Sequence, residues 1–274
     1  MKRQGLTQRF PWLLPLRRRQ RIFCFYLKMR LDNNRYASAQ SKTVLPHQVF
    51  ESRCPMINRQ TGFDLKYQEN KVFNLKLAAK KLDGLLIRPG ETFSFWQTVR
   101  GADRETPYKE GLVELNGHLT TQRGGGLCML SNLLFWLLLH TPLTVLERHG
   151  HKVKDFPEPP SDAPMGVDAT VAEGWLDLKV RNDTESTWQL AIGFDEEHII
   201  GRVYTDRDRG ERYKVLNENL CYIREGGQIC EEVEVVRKRC SASGVVTKQE
   251  KLYKNRCVIG YKLPPETEIK ERVP

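Results

Sequence analysis

Three consecutive glycines followed by a cysteine and an apolar run constrain this chain more than any other feature. Residues 124–126 are all glycine, and after Leu127 the segment Cys128–Leu139 is almost wholly apolar. Glycine permits backbone angles and close approaches that a side chain would forbid. The pattern therefore predicts a tight loop that leads into a buried helix beginning at Cys128, too short to cross a membrane.

A cysteine in the first turn of a helix lies where a nucleophile can be activated. The unpaired N–H groups and the positive end of the helix dipole favour its thiolate. A free thiol is mostly protonated at neutral pH, so a cysteine enzyme also needs a base, which is usually histidine. Cys128 is therefore a candidate nucleophile. The alternative is a small, inert residue at the start of a core helix.

Two histidines about twenty residues downstream are the candidate bases. His149 and His151 flank Gly150, and in an extended segment both side chains point to the same face. Asp168, within the apolar segment 166–171, is the acid best placed to orient an imidazole. A cysteine at a helix start, followed by histidine and an acid on strands, is the order of papain-like enzymes.

The glycine loop is the candidate substrate-binding element. Its candidate residues are Gln122, Arg123, Gly124, Gly125 and Gly126. Exposed loop amides can hold an anion such as a peptide carboxylate, and Gln122 is a candidate donor to an oxyanion. An alternative chemistry is a zinc site on Cys128, His149 and His151, but one cysteine with a His-x-His pair is a weak zinc signature. We expect neither a metal nor a cofactor.

The positive charge of the chain is concentrated at its N-terminus. The net charge of the chain is +10. Residues 1–38 contain ten basic side chains and one acidic side chain, Asp32, and so account for nine of these ten charges. Such an arm can bind anionic lipid headgroups or nucleic acid, or can be a solvated tail. No recognised nucleic-acid-binding pattern accompanies it, so no nucleic acid is expected as a partner. No secretory signal or membrane span is visible, which predicts a cytoplasmic protein with peripheral membrane contact through the arm.

The chain divides into three predicted parts: a basic arm with short helices over 1–45, a core domain over 46–204 and a small β-rich appendage over 205–274. In the core we expect a helix from an Asn70 cap to Gly84, a strand over 91–96 and a hairpin turning at Asn116-Gly117. Further strands are predicted over 144–149, 167–172, 175–180, 187–194 and 199–204, the last four as an antiparallel meander. The predicted class is α+β, with the helix of the Gly-Gly-Gly-x-Cys motif packed on an antiparallel sheet.

Several motifs, in this order, resemble the VanW family. They are the segment 88–95 (Arg-Pro-Gly-Glu-Thr-Phe-Ser-Phe), Tyr108-Lys109-Glu110, the segment 124–128, the segment 147–151 and the segment 166–171. The resemblance covers roughly residues 70–205. VanW-like domains of larger, exported cell-wall proteins are associated with peptidoglycan L,D-transpeptidation through the glycine-loop cysteine. The resemblance thus implies that Cys128 attacks a peptide-stem carbonyl, with His151 as base and the amides after the glycines stabilising the oxyanion.

Two functions are open on this reasoning. The first is a cysteine-dependent acyltransferase or hydrolase that acts on peptidoglycan peptides, as an accessory protein of cell-wall and glycopeptide-resistance physiology. The second is a non-catalytic module that binds peptidoglycan precursors or resistance enzymes and whose thiol is unreactive. Nucleic-acid binding by the basic arm is a third hypothesis, supported by charge alone.

Overall fold

The computed structural model describes residues 10–115 and 118–271, and within them it contains four α-helices, a short 3-10 helix (Pro11–Leu13) and fifteen strands. The helices are α1 (Leu14–Leu31), α2 (Lys66–Leu82), α3 (Phe95–Val99) and α4 (Cys128–Leu139). The strands are β1 (Arg35–Tyr36), β2 (His47–Pro55), β3 (Leu86–Ile87), β4 (Glu91–Ser94), β5 (Glu110–Leu115), β6 (His118–Arg123), β7 (Thr144–Glu147), β8 (Val153–Lys154), β9 (Lys179–Arg181), β10 (Trp188–Phe194), β11 (His198–Thr205), β12 (Glu211–Glu225), β13 (Gln228–Ser241), β14 (Val246–Ile259) and β15 (Ile269–Glu271). The class is α+β, as predicted.

The strands form three sheets and one hairpin. The first sheet has the order β1-β4-β9-β7, the second β2-β11-β10-β3 and the third β15-β12-β13-β14-β8. Strands β5 and β6 form the hairpin, and its predicted turn, Asn116-Gly117, lies outside the described residues. The predicted meander is correct only for its last pair, because β9 belongs to a different sheet from β10 and β11.

Helix α4 lies at the centre of the apolar core, which is the usual place for a helix that is apolar all round. It contacts β2 and β11. Gly201 of β11 permits this close approach, since a Cβ there would lie 2.6 Å from Cδ1 of Leu137. On another side, the ring of Phe135 packs against Tyr253 of β14, with 6.1 Å between the ring centroids. The core that surrounds α4 therefore includes residues from the C-terminal strands.

Two predicted elements have other bounds. Helix α2 begins at Lys66, before the predicted cap, and Asn70 instead donates from Nδ2 to the Glu110 carbonyl at 2.8 Å. The strand predicted over 91–96 ends at Ser94, whose Oγ accepts a hydrogen bond from the Gln97 N–H at 3.1 Å and caps α3. A side-chain cap therefore sets the start of α3, whereas Asn70 lies inside α2 and bonds to a neighbouring strand.

The segment 167–172, predicted as a strand, joins no sheet among the described residues, and only Ala172 makes an isolated bridge, to Leu176. Its backbone bonds to side chains of α4 instead, because the Ala169 N–H donates to Asn132 Oδ1 at 2.7 Å and its carbonyl accepts from Ser131 Oγ at 2.6 Å. The Thr170 N–H donates to the His149 carbonyl at 2.7 Å. These bonds satisfy the backbone groups without a sheet, and they place Asp168 beside α4.

The basic arm contains one eighteen-residue helix, α1, where short helices were predicted. Tyr26 and Met29 on its inner side are buried, and β1 just beyond it pairs with β4 in parallel. In the part of the chain that the structure describes, no helix is long and apolar enough to cross a membrane. The domain limit predicted after residue 45 precedes β2, and the one after residue 204 falls at the end of β11. Both limits stay predictions.

Candidate active site

The glycine loop is clamped by a single asparagine of α2. Buried Asn74 donates from Nδ2 to the carbonyls of Gly125 and Lys109, both at 3.0 Å. Its Oδ1 accepts from the Lys109 N–H at 2.8 Å, and the Gly124 N–H donates to the Lys109 carbonyl at 2.9 Å. The loop therefore has a fixed conformation next to the start of α4, despite its three glycines.

Two of the glycines are required by what lies against them. A Cβ on Gly125 would lie 2.2 Å from the backbone carbon of Gly111 in β5, so the two backbones touch. Gly126 has φ +89°, and a Cβ on it would lie 2.3 Å from Cγ of Lys71. Gly124, with φ +82°, occupies the same left-handed region, which favours glycine.

Cys128 is the first residue of α4 and is half-buried. Its Sγ lies 3.5 Å from Thr170 Oγ1 and 3.7 Å from the Val171 carbonyl. The backbone N–H groups of Gly126, Leu127 and Cys128 have no hydrogen-bond acceptor among the described residues. Such unpaired donors at a helix N-terminus favour a thiolate and can bind an oxyanion.

His151 and Asp168 form a hydrogen-bonded pair beside the cysteine. His151 Nδ1 and Asp168 Oδ2 are 2.7 Å apart, and the same oxygen accepts from the His151 N–H at 2.7 Å. With Nδ1 occupied in this way, Nε2 is the ring nitrogen left for the thiol, as in cysteine and serine triads. The carboxylate fixes both the position and the orientation of the imidazole.

The pKa values of the cysteine and the histidine shift toward an ion pair. Burial raises the pKa of the Cys128 thiol, but the neighbouring His151 with its positive charge outweighs burial and leaves the thiol pKa below its ordinary value. Burial lowers the pKa of His151, but the hydrogen bond to Asp168 and the proximity of the Cys128 thiol outweigh burial and hold the pKa well above its ordinary value. Both shifts favour a thiolate next to an imidazolium, which is the reactive form of a cysteine nucleophile.

Arg148 holds the Asp168 carboxylate from the side opposite the histidine. Its Nη2 pairs with Asp168 Oδ1, and its Nε donates to the Asp168 carbonyl at 2.6 Å. Nη2 also donates to the Gly166 carbonyl at 3.3 Å and to Asn255 Oδ1 at 3.1 Å. The guanidinium lies over the Tyr253 ring, with Cζ 4.1 Å from the centroid. Burial raises the pKa of Asp168, but His151 and Arg148 outweigh burial and keep it below its ordinary value.

The other predicted site residues lie apart from this constellation. His149 bonds through Nε2 to Glu147 Oε1 at 3.0 Å, so the two histidine rings have different partners although the pattern predicted one shared face. The side-chain amide of Gln122 lies against the guanidinium of Arg18 in α1, with Nη2 at 3.2 Å. Arg123 is exposed at the end of β6. Among the described residues, no three or more His, Cys, Asp or Glu side chains are grouped so as to hold a metal ion.

Sequence reasoning missed four side chains that support the site, namely Arg148, Ser131, Asn132 and Asn74. Ser131 and Asn132 had a visible signal, because they are the two consecutive polar residues in the apolar run of α4. Arg148 lies within the predicted strand 144–149, directly before the first of the two candidate histidines. For Asn74 the chain offers no local signal, since its two partner residues, Lys109 and Gly125, are distant in sequence.

The fold and the site define a mixed α+β protein in which a cysteine at a helix start lies beside a histidine that is hydrogen-bonded to a buried aspartate. A family model described as "VanW like protein" matches residues 70–204. The chain is 54% identical over 272 residues, 99% of both chains, to "Vancomycin B-type resistance protein VanW" from Enterococcus faecalis strain V583. The chain therefore belongs to the VanW family.

A more distant relative covers only part of the chain. "Uncharacterized protein YoaR" from Bacillus subtilis strain 168 is 33% identical over 114 residues, which are 42% of this chain and 36% of that protein. No solved structure matches this chain.

Proposed function

We propose that Cys128 is the nucleophile of a cysteine-dependent acyl transfer or hydrolysis on peptidoglycan peptides, with the protein acting as an accessory of glycopeptide resistance. The observation that carries this proposal is the hydrogen-bonded pair of His151 and Asp168, 2.7 Å apart, beside a thiol at the start of α4 whose pKa the histidine lowers. The family and the name of the Enterococcus relative support the choice of substrate class.

The proposed chemistry has two steps. The Cys128 thiolate adds to a peptide carbonyl, the unpaired amides at the start of α4 bind the oxyanion, and the amine leaves with the proton that His151 carries. An amine of a second peptide, or water, then attacks the thioester and gives its proton to His151, and Cys128 leaves as the thiolate, which restores the starting ion pair. Asp168 keeps the imidazole in the tautomer that both steps need.

The thiol half of the proposal is tested by the pH dependence of iodoacetamide alkylation at Cys128, read by peptide mass spectrometry. We expect an apparent thiol pKa below the ordinary value of about 8.5, and a higher one after His151→Ala. His198→Ala is the matched control, since the His198 ring has exposed Asp195 as its one hydrogen-bond partner in the described part of the chain, and it should leave the profile unchanged. An ordinary profile in the unmodified protein, or a larger effect from His149→Ala than from His151→Ala, would overturn the assignment.

The substrate half is tested with a synthetic peptidoglycan stem pentapeptide and an acceptor amine. We expect a thioester on Cys128 and a transferred or hydrolysed product, both absent from Cys128→Ser. An activated thiol without either product refutes this substrate class. If Cys128→Ser also binds the pentapeptide as well as the unmodified protein does, the non-catalytic binding module is the correct function.

A further inference from the structure

The outward side of the N-terminal segment carries an apolar stripe that nothing in the described protein covers. Its members are Trp12, Leu16, Phe23, Leu27 and Leu31, whose exposed fractions range from 41% to 74%. Their spacings of four and seven residues place them on one side of α1 and of the turn before it, because a helix makes a turn about every 3.6 residues. A stripe of this length is unusual on a helix that faces water.

The opposite side of α1 is already packed against the protein. Tyr26 is buried there and donates from its hydroxyl to Glu173 Oε1 at 2.9 Å, while a Cβ on Gly174 would lie only 3.0 Å from Ile22. The side of α1 that packs against the core is therefore the opposite one, and the stripe is not needed for that packing. It is available on the folded protein without any rearrangement of α1.

Basic side chains border the stripe on both flanks. At about 100° per residue, Arg19 and Arg30 fall on one flank and Lys28 on the other. None of these three makes an ion pair with another described residue, and α1 contains no acidic residue. An apolar stripe with unpaired cations on each side is complementary to a surface in which anionic groups lie above a hydrocarbon layer.

We propose that this side of α1, the stripe with its flanking cations, docks on the surface of a bilayer that contains anionic lipids. The helix lies in the plane of the interface, with the stripe at the boundary between headgroups and acyl chains, and Arg19, Lys28 and Arg30 at the phosphates. Nucleic acid would use the charges and leave the stripe in water. The inference is independent of the chemistry at Cys128.

Docking in this way brings the candidate active site to the lipid surface. The inner side of α1 reaches the strand that leads into the glycine loop, through the contact of Arg18 with Gln122. When α1 is docked, the glycine loop therefore lies on the side of the molecule that faces the membrane. A substrate anchored in the same lipid surface would be concentrated next to it.

The experiment is flotation of the full chain with vesicles of mixed phosphatidylglycerol and phosphatidylcholine, compared with pure phosphatidylcholine. We expect binding to the mixed vesicles to be at least about tenfold tighter, and the double variant Phe23→Ser, Leu27→Ser to lose about tenfold or more. The matched control is Leu216→Ser, Leu220→Ser, which removes two equally apolar, 42% exposed side chains from β12 and should bind normally. Thermal unfolding of each variant confirms that it is folded.

Three results would overturn the proposal. The first is no flotation of the unmodified protein with the anionic vesicles at low salt. The second is equal binding by the Phe23→Ser, Leu27→Ser variant, which would make the contact purely electrostatic. The third is a duplex DNA oligonucleotide that displaces the protein from vesicles and binds the double variant as tightly as the unmodified chain.

Discussion

Replacing Asp168 by asparagine tests the central ion pair of the site. The carboxylate is buried, pairs with Arg148 through Oδ1 and accepts two hydrogen bonds from His151 through Oδ2. Asparagine keeps the shape of the side chain but removes its charge. The change therefore leaves a buried guanidinium without its counterion and the imidazole without its orienting anion.

The size of the loss in unfolding free energy depends on the hydrogen bonds that Arg148 retains after the change. Removing one partner of a buried ion pair costs about 3–5 kcal/mol, because the other charge stays buried. After the change, Arg148 still donates to the carbonyls of Asp168 and Gly166 and to Asn255 Oδ1. We therefore expect Asp168→Asn to lower the free energy of unfolding by about 3 kcal/mol near neutral pH, the lower end of that range.

The effect also has a defined pH window. Because the folded pKa of Asp168 is lowered, its contribution is present above the unfolded value of about 3.9 and is lost as pH falls through the folded pKa. Because the folded pKa of His151 is raised, its contribution is complete below the unfolded value of about 6.5 and is lost as pH rises through the folded pKa. The cost of Asp168→Asn should therefore be greatest between about pH 4 and 6.5.

Urea unfolding at several pH values measures this cost directly, with the denaturant slope as a check that both proteins unfold in the same way. The matched control is Asp183→Asn, since Asp183 pairs with Arg181 on the exposed surface and should contribute little. A loss from Asp168→Asn no larger than that of the control, or one independent of pH, would refute the reasoning.

Three other changes probe the supports of the site. Gly125→Ala places a Cβ 2.2 Å from the Gly111 backbone and should cost about 1–3 kcal/mol of unfolding free energy by overpacking, as measured in urea. Asn132→Leu leaves the Ala169 N–H without its acceptor, so we expect a loss of about 1–3 kcal/mol and slower alkylation of Cys128. Burial lowers the pKa of Lys71 to about 8, so Lys71→Met should stabilise the protein at neutral pH and lose this advantage above about pH 10.4, the unfolded value.

Each of these variants has a control or a contrary result. Gly193→Ala adds a methyl group whose nearest neighbour is Arg202 Nη1 at 3.8 Å, and it should cost less than Gly125→Ala. If Asn132→Leu leaves the alkylation rate unchanged, the bond to Ala169 does not position the site. If the thermal midpoint of Lys71→Met exceeds that of the unmodified protein equally at both pH values, its benefit comes from packing.

The sequence predicts best where local chemistry decides the structure. The uninterrupted apolar run from Leu133 to Leu139 can be stable only inside a core, and α4 lies at the centre of one. Strands β10 and β11 follow from alternation and a polar turn between them. In the same way, a cysteine, two histidines and an aspartate could be selected as candidates because few side chains support such chemistry.

Long-range pairing decided the rest. Which of the two histidines can act as the base depends on their carboxylate partners, since Glu147 bonds to the ring of His149 and Asp168 to the ring of His151. No pattern within residues 147–151 indicates this pairing. The alternation of residues around Asp168 predicts a strand, but the side chains of Ser131 and Asn132 form hydrogen bonds with the backbone of this segment in place of a neighbouring strand. The parallel pairing of β1 with β4 is likewise a contact between distant segments, which loop lengths alone do not specify.

The contacts of β14 with Arg148 have a practical consequence for the design of shorter forms of this protein. The family match ends at residue 204, which invites expression of a trimmed fragment. Such a fragment would keep Cys128, His151 and Asp168 but would lose Asn255 as an acceptor for Arg148 and the Tyr253 ring beneath the guanidinium. It would contain every reacting group and lack part of the framework that holds them, so inactivity of the trimmed form would say nothing about the chemistry of the whole.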